Sequence, residues 1–206
     1  MLQTATVHPT TLAILRKIML TPLFDQFNLV GGTALALQIG HRISIDLDLF
    51  TLKPYDSQQI INNLLKLGDL DILVDKPPFL QIRLDDVKID FLQFPYPLVQ
   101  DFVNIDDIRL VSIENIAIMK LLAIARRGVK KDFFDLFFIL DQYTLSELVD
   151  SFVSKLPNID MFHILKSLTY FDDAESDADP KMLLNVTWPK VKNTIRQKTL
   201  NYLSGK

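Results

Sequence analysis

The chain of 206 residues contains no cysteine, which excludes disulfide bonds and thiolate metal sites. It also has no apolar run near the roughly 20 residues needed to span a bilayer, because Lys120 and Asp135 interrupt its two longest apolar stretches. Residues 1–9 lack the basic start and apolar run of a secretory signal. Together these absences predict a soluble cytoplasmic protein.

An excess of positive charge is also absent. The 22 Lys and Arg residues are outnumbered by 25 Asp and Glu residues, which gives a formal net charge of −3. Since phosphate contacts by Lys and Arg dominate non-specific nucleic-acid binding, any RNA binding must use local clusters. The candidates are the tail from Lys190 to Lys198 and the group Arg126, Arg127, Lys130 and Lys131. Such basic runs are more often solvated helix ends than binding sites.

Hydrophobic residues are plentiful, at 49% of the chain with 14 Phe, so a large core is available and a disordered protein is excluded. The first half of the chain combines strand and helix patterns, whereas the second half is almost wholly helical. We therefore expect an α+β fold in which a mixed sheet flanked by helices precedes a helical domain.

Apolar periodicity and turn residues locate the individual elements. Strands are predicted over Phe27–Val30, Ile45–Phe50, Leu70–Val74, Phe79–Leu84 and Val87–Phe94. The pair Asp85 and Asp86 predicts a hairpin between the last two strands, and Pro95 and Pro97 are expected to close the sheet. Helices are predicted over Thr10–Met19, Thr33–Ile39, Asp56–Leu67, Ser112–Arg127, Lys131–Tyr143, Leu145–Leu156, Asp160–Leu168 and Trp188–Leu203, with a loop over Asp172–Asp179.

Asp46 and Asp48 are the most informative acids. Side chains alternate between the two faces of a strand, so these two carboxylates point the same way, opposite Leu47 and Leu49. Two neighbouring carboxylates on an otherwise apolar sheet repel each other and are costly to desolvate. A bound divalent cation relieves both effects, and paired carboxylates suit Mg²⁺.

Asp90 is a third acid, within the apolar strand Val87–Phe94. One interpretation is an edge-strand charge that faces solvent. If its strand instead pairs beside the strand of Asp46 and Asp48, all three acids converge. Such a trio can hold two metal ions about 4 Å apart, which stabilise the attacking and leaving oxygens of an in-line displacement. We predict Asp46, Asp48 and Asp90 as catalytic metal ligands.

Gly31 and Gly32 separate a predicted strand from a predicted helix. Glycine lets the backbone approach a ligand closely, and the free amides at a helix start suit a phosphate group. A Gly-Gly pair alone usually marks a plain turn, but together with the three acids it forms a stronger signal for catalysis. Thr33 either caps the helix or contacts a phosphate oxygen.

Arg42 and Ser44 lie in the loop before the acidic strand. Arg42 has two available roles, pairing with phosphate or neutralising Asp46 and Asp48. Ser44 either binds phosphate or hydrogen-bonds to the neighbouring loop. His41 is more typical of a structural residue than of a general base.

Motifs distributed over most of the chain resemble those of a known family. An extended motif comprises Gly31–Leu37, Gly40–Arg42, Ser44 and Asp46–Phe50, and shorter ones lie at Ile118–Lys120, Ala125–Arg127, Lys131–Asp132, Asp135–Leu136 and Leu168–Glu175. This pattern resembles the AbiEii/AbiGii toxin family of nucleotidyltransferases. The first motif is specific for the superfamily, and the helical motifs favour this branch of it.

The resemblance implies a polymerase-β-like nucleotidyltransferase core over residues 1–100 and a helical domain over residues 101–206 that completes the active-site cleft. It implies transfer of a nucleoside monophosphate from a nucleoside triphosphate to tRNA, other RNA or a protein. The enzyme would be the toxin of a toxin–antitoxin or phage-defence pair. By position, Asp46 and Asp48 would bind metal, Lys120 would contact the triphosphate, and Asp132 or Asp135 would complete the site.

The residues themselves leave some of these roles open. Lys120 lies in an apolar run and either contacts phosphate or extends to solvent. Asp132 and Asp135 share a helix face, and Asp132 also suits a first helical turn. Asp135 stands among four Phe residues and needs a partner, for which Lys120, Arg126 and Arg127 are the candidates.

Three alternatives compete with this interpretation. The acceptor could be a small molecule such as an antibiotic, since no residue selects it. A phosphatase of the haloacid dehalogenase kind also uses Asp-x-Asp, but Phe50 occupies the place that usually holds Thr or Val. A non-catalytic binding module with the same fold is the third, although it has no reason to retain three acids beside Gly31 and Gly32.

Overall fold

The computed structural model describes residues 1–93 and 102–205. The chain divides into two compact units, Met1–Ser112 and Ile113–Lys206. Within the described ranges, no helix is long and apolar enough to cross a membrane. Pro95 and Pro97, which were expected to close the sheet, lie outside the described residues, as does Phe94.

The first unit contains one mixed sheet. Its strands are β1 (Asn28–Val30), β2 (Leu47–Thr51), β3 (Leu70–Lys76), β4 (Phe79–Leu84), β5 (Val87–Gln93), β6 (Phe102–Ile105) and β7 (Ile108–Val111). Over the described residues, the sheet has seven strands in the order β3-β4-β5-β2-β1-β7-β6. β1 is antiparallel to β2 and parallel to β7, while β2 is parallel to β5. The predicted mixed sheet is thus confirmed.

Helices of the first unit are α1 (Pro9–Met19), α2 (Gly31–Ile39) and α3 (Ser57–Leu64), with short 3₁₀ segments at Thr4–Thr6 and Pro22–Phe24. The Asp56 side chain accepts hydrogen bonds from two backbone amides and so caps the start of α3, as its sequence position predicts. Gly40 ends α2 with a left-handed φ of 76°. The central helix α2 is apolar and mostly buried, which fixes its first turn against β1 and β2.

The second unit is helical over its described part. It contains α4 (Ile113–Arg127), α5 (Lys130–Ile139), α6 (Leu145–Lys155), α7 (Met161–Ser167), α8 (Asp172–Glu175) and α9 (Trp188–Leu203). Its core includes an aromatic cluster in which Phe133, Phe134 and Phe171 surround Trp188, with ring centroids 5.7–5.8 Å from the Trp188 ring. Aromatic pairs at this separation add stability beyond the area they bury.

The structure contradicts two predictions made from the sequence. Residues 102–111, assigned above to the helical part, form the hairpin β6–β7, and Leu110 of that hairpin pairs with Leu29 of β1. The first unit therefore extends to Ser112 instead of residue 100. In addition, Asp172–Glu175 is a short helix instead of a loop, because acids in a first turn favour helix formation.

Two of the two-residue hairpin turns, between β4 and β5 and between β6 and β7, consist of an Asp-Asp pair with positive φ. The angles are 46° and 65° at Asp85 and Asp86, and 53° and 61° at Asp106 and Asp107. Positive φ at both central residues is the requirement of a type I′ turn, which glycine meets without steric cost. The hairpin predicted at Asp85 and Asp86 is confirmed. Its positive φ angles place these two Asp residues in a strained backbone conformation.

We expect Asp86→Gly to stabilise the protein by up to about 1 kcal/mol. A left-handed φ costs an L-residue roughly 1–2 kcal/mol, and the greater freedom of glycine in the unfolded chain offsets part of the gain. The midpoint of urea unfolding should move to higher urea at an unchanged slope. Asp86→Ala is the control and should show no gain; a lower midpoint for Asp86→Gly would contradict the expectation.

Candidate active site

Asp48 and Asp90 lie opposite each other on neighbouring parallel strands. In the pairing of β2 with β5, Asp48 is the register partner of Asp90. The flanking Leu47, Leu49 and Phe91 are buried, whereas both acids are partly exposed. Because register partners point to the same side of a sheet, the two carboxylates share a face. The prediction that the strand of Asp90 pairs beside that of Asp48 is confirmed.

Asp90 is held by its immediate neighbours. Its Oδ1 accepts a hydrogen bond of 2.9 Å from Gln81 Nε2, and its Oδ2 lies 3.4 Å from Lys88 Nζ. Asp46 precedes β2 and is partly exposed. In residues 1–93 and 102–205, no group of three or more His, Cys, Asp or Glu side chains is arranged to hold a metal ion. Asp48 and Asp90 thus share a sheet face, and convergence of Asp46 with them on one metal ion stays a prediction.

The glycine pair forms the turn from β1 into α2, directly against two charged side chains. Gly31 has a φ of 70°, and a Cβ at this position would overlap Oδ2 of Asp48. A Cβ on Gly32 would overlap Nη2 of Arg42. The absence of both Cβ atoms is thus what allows this close approach. A carboxylate and a guanidinium lie beside the first turn of α2 as a result.

Thr33 and Ser44 connect this turn to the loop before β2. The buried Thr33 Oγ1 lies 2.8 Å from Ser44 Oγ and donates a hydrogen bond to the carbonyl of Asp46. The backbone amide of Ser44 also donates to the carbonyl of Thr6. The Ser44 hydroxyl thus hydrogen-bonds to Thr33 in the first turn of α2, and its contact with phosphate stays a prediction. The Thr33 hydroxyl is therefore bonded to the backbone of Asp46 and does not cap α2.

Arg42 is buried beside the turn, and its Nη1 donates to the carbonyl of Ile43 over 3.0 Å. Its position next to Gly32 places a permanent positive charge near the carboxylate that contacts Gly31. This arrangement is consistent with both predicted roles, neutralisation of the acids and pairing with phosphate. His41 is fully buried, as expected of a structural residue.

Lys120, Asp132 and Asp135 form a separate ionic cluster in the second unit. Lys120 is only 5% exposed, and its Nζ lies 2.8 Å from Asp132 Oδ1 and 2.5 Å from Asp135 Oδ2. Arg127 donates two hydrogen bonds, of 2.9 and 3.1 Å, to the carboxylate of Asp132. Lys120 is therefore the partner that Asp135 needs, and it does not extend to solvent. Its contact with a triphosphate stays a prediction.

Opposite charges keep this cluster ionised. Burial by itself would lower the pKa of Lys120, but the carboxylates of Asp135 and Asp132 outweigh that effect and raise it above its ordinary value. Burial would likewise raise the pKa of Asp132, but Lys120 and Arg127 hold it below its ordinary value. Both groups carry their charges at neutral pH.

Several cations that were candidates for RNA binding form ion pairs or hydrogen bonds within the second unit. Lys130 is buried, lies 3.1 Å from Asp179 Oδ1 and donates to the carbonyl of Asp177. Lys192 pairs with Glu175, and Lys198 donates to a backbone carbonyl. No sequence signal identified Lys130 as structural, because its partners lie more than 40 residues away. Of these candidates, Arg126, Arg127, Lys131, Lys190 and Arg196 are exposed, and Arg127 is paired with Asp132.

Known proteins match this chain in sequence and fold. A family model described as the nucleotidyl transferase AbiEii toxin of a type IV TA system matches residues 13–199. An uncharacterized protein of Aquifex aeolicus is 36% identical over 197 residues, which cover 93% of this chain and 95% of that protein.

Two solved structures have a similar fold. A candidate nucleotidyltransferase from Helicobacter pylori has a TM-score of 0.57 at 20% identity, over 97% of this chain and 99% of that one. The nucleotidyltransferase toxin MenT4 from Mycobacterium tuberculosis has a TM-score of 0.55 at 15% identity, over 91% and 82%. Both likenesses support the architecture of a mixed sheet followed by helices.

We expect Lys120→Met to destabilise the protein by about 3–5 kcal/mol, because it leaves the buried carboxylates of Asp132 and Asp135 with too little compensating charge. Urea unfolding at neutral pH measures the loss. Lys131→Met, at an exposed position in the adjoining helix, is the matched control and should change stability little. A loss for Lys120→Met no larger than that of the control would show that the cluster is not stabilised by this ammonium.

Proposed function

The chain belongs to the AbiEii family of nucleotidyltransferase toxins, and we propose that it transfers a nucleoside monophosphate to an RNA or protein acceptor, using the acids beside the Gly31–Gly32 turn. Membership of this family supports nucleotidyl transfer and a toxin role. The assignment of the chemistry to Asp46, Asp48 and Asp90 is the part that we add.

A single observation carries this assignment. Asp48 and Asp90 are register partners on one sheet face, and the carboxylate of Asp48 contacts a glycine turn that opens a helix. A helix start offers free amides and a favourable dipole to a phosphate group. The arrangement thus brings acceptor oxygens for a cation and donors for an anion to one place, which suits a metal-bound triphosphate.

The donor set fits Mg²⁺ by its chemistry, since carboxylate oxygens are ligands that this ion prefers. In the proposed enzyme, Asp46 and Asp48 hold the ion and Asp90 is the third ligand. A divalent ion at this place supplies charge stabilisation for the attacking and leaving oxygens of the in-line displacement. The hydrogen bond from Thr33 to the Asp46 carbonyl supports this role, because it fixes the backbone from which that carboxylate projects.

The remaining predicted residues have binding or positioning roles in this proposal. The amides of the Gly31–Gly32 turn and the guanidinium of Arg42 bind phosphate oxygens. Ser44 positions the loop through its contact with Thr33. Lys120 is proposed to contact the triphosphate, and Asp132 or Asp135 to complete the site while holding its ammonium.

The acceptor is proposed to be tRNA, another RNA or a protein. The exposed cations of the second unit support an RNA acceptor through local phosphate contacts, in a chain whose net charge is negative. A small-molecule acceptor is the alternative within the same chemistry. A cognate antitoxin is the expected protein partner, as the family description implies.

Transfer of label from each of the four α-labelled nucleoside triphosphates tests the proposed site. With Mg²⁺ present, we expect label on total RNA or on protein, and we expect Asp48→Asn to reduce it by at least about 100-fold, since metal-assisted charge stabilisation contributes several kcal/mol. Chelation of the metal should have the same effect. Asp150→Asn, at an exposed position in α6, is the matched control and should transfer normally. Full activity of Asp48→Asn would refute the assignment.

Growth on expression of the chain without a partner tests the toxin role in the cell. We expect arrest with the wild-type chain and normal growth with Asp46→Ala, because the toxicity depends on the proposed metal ligand. Immunoblotting must show equal protein levels, and Asp150→Ala should arrest growth like the wild type. Arrest by Asp46→Ala at equal expression would separate the toxicity from this acid.

A further inference from the structure

A cavity of about 350 Å³ lies at the other end of β1 from the glycine turn. Its lining includes Asn28 at the start of β1, Thr51 at the end of β2, Lys53 after β2, Phe102 and Asn104 of β6, Arg109 of β7 and the acid Asp25. Asn28 lies three positions before Gly31, which is about 10 Å along a strand. The cavity volume is at the lower end of the range for small-molecule sites. None of its lining residues belongs to the proposed catalytic site.

Asn28 is the residue that points to a ligand. It is only 8% exposed, and its side chain lines the cavity. Among residues 1–93 and 102–205, no hydrogen bond to the Asn28 carboxamide is observed. The carboxamide is not among the fully buried polar groups that lack a partner, so it keeps access to solvent through the cavity. A ligand in the cavity can therefore replace that solvent with its own hydrogen-bond donor and acceptor.

The charges around the cavity favour an anionic ligand. Arg109 is committed to the fold, since it donates to the carbonyls of Phe27, Met19 and Phe24 and lies 3.8 Å from Asp25. Lys53 is exposed at the rim, and in the described part of the chain it has no ion-pair partner. One uncompensated ammonium therefore faces a ligand that enters the cavity.

The other lining groups favour a planar heteroaromatic ring. Phe102 is 41% exposed and lines the cavity, where an aromatic ring can stack on a planar ligand. Asn28 and Asn104 each present a donor and an acceptor, the combination that pairs with the edge of a nucleobase. Aromatic stacking together with side-chain hydrogen bonds to base edges is the usual mode of recognition for single, unpaired nucleotides.

We propose that this cavity is a second, non-catalytic site that binds one nucleotide unit. Asn28 hydrogen-bonds the base edge, Phe102 stacks on the base, and Lys53 pairs with the phosphate. The same chemistry is presented by a free mononucleotide and by a nucleotide of single-stranded RNA. The site does not depend on the proposed transfer activity, since it shares no residue with it.

Side-chain amide resonances of the full chain provide the direct test. The Asn28 signal is identified by its loss in Asn28→Asp, and AMP, GMP, CMP, UMP and a single-stranded tetranucleotide RNA are added without divalent ions. We expect at least one probe to shift the Asn28 signal with a dissociation constant below about 1 mM. Lys53→Ala should weaken that binding about fivefold or more, because a charge-assisted contact is lost.

The arms of this experiment separate the two sources of the nucleotide. A shift with mononucleotides identifies a free nucleotide as the ligand, and a shift with the tetranucleotide alone identifies a nucleotide of RNA. Shifts confined to residues near Gly31, or no shift with any probe, would overturn the proposal. Asp48→Asn should bind at Asn28 like the wild type, which separates this site from the catalytic one.

Thermal unfolding of Asn28→Leu gives an independent measurement. Leucine preserves the side-chain volume and removes the amide, so the unliganded variant should melt at or above the wild-type temperature. The rise in melting temperature that the nucleotide produces in the wild type should disappear. A melting temperature well below the wild type would show that the amide already stabilises the fold, and the proposal would then be wrong.

Discussion

The interaction on which the candidate site depends is the repulsion between acids on one face of the sheet. The register of β2 and β5 aligns Asp48 with Asp90, above a layer of buried leucine and phenylalanine. Carboxylates that share a sheet face repel each other unless nearby positive charge compensates. Lys88 compensates Asp90, and the carboxylate of Asp48 lies against a glycine turn beside Arg42. A bound cation and the positive end of the helix dipole at the start of α2 would both stabilise these carboxylates.

The second unit also contains neighbouring acids, but its own cations neutralise them. Its two buried acids, Asp132 and Asp135, are neutralised within the protein by Lys120 and by Arg127. Buried ion pairs of this kind are costly to assemble and still more costly to break. The cluster is therefore a rigid element of the helical unit, and any role of Lys120 toward a ligand must compete with its carboxylate partners.

The sequence identified features that depend on neighbouring residues. Strand alternation placed Asp48 on the face of β2 opposite Leu47 and Leu49, the Asp-Asp pair after β4 marked a hairpin, and the glycine pair marked the turn before α2. It failed for β6 and β7. That hairpin carries the same kind of Asp-Asp turn, but its four-residue strands are too short for a periodic signal. Their identity as strands depends on pairing with β1, which is distant in sequence.

The sequence by itself determined the family, the order of most elements and the residues able to carry the chemistry, because periodicity, turn preference and motif spacing are local properties of a chain. Only the tertiary structure decided which charges meet. It joined Asp48 to Asp90 across forty-two residues, gave Lys120 its two acids and left the amide of Asn28 facing a cavity. These contacts arise from strand register and helix packing, which the burial of apolar surface imposes on distant segments together.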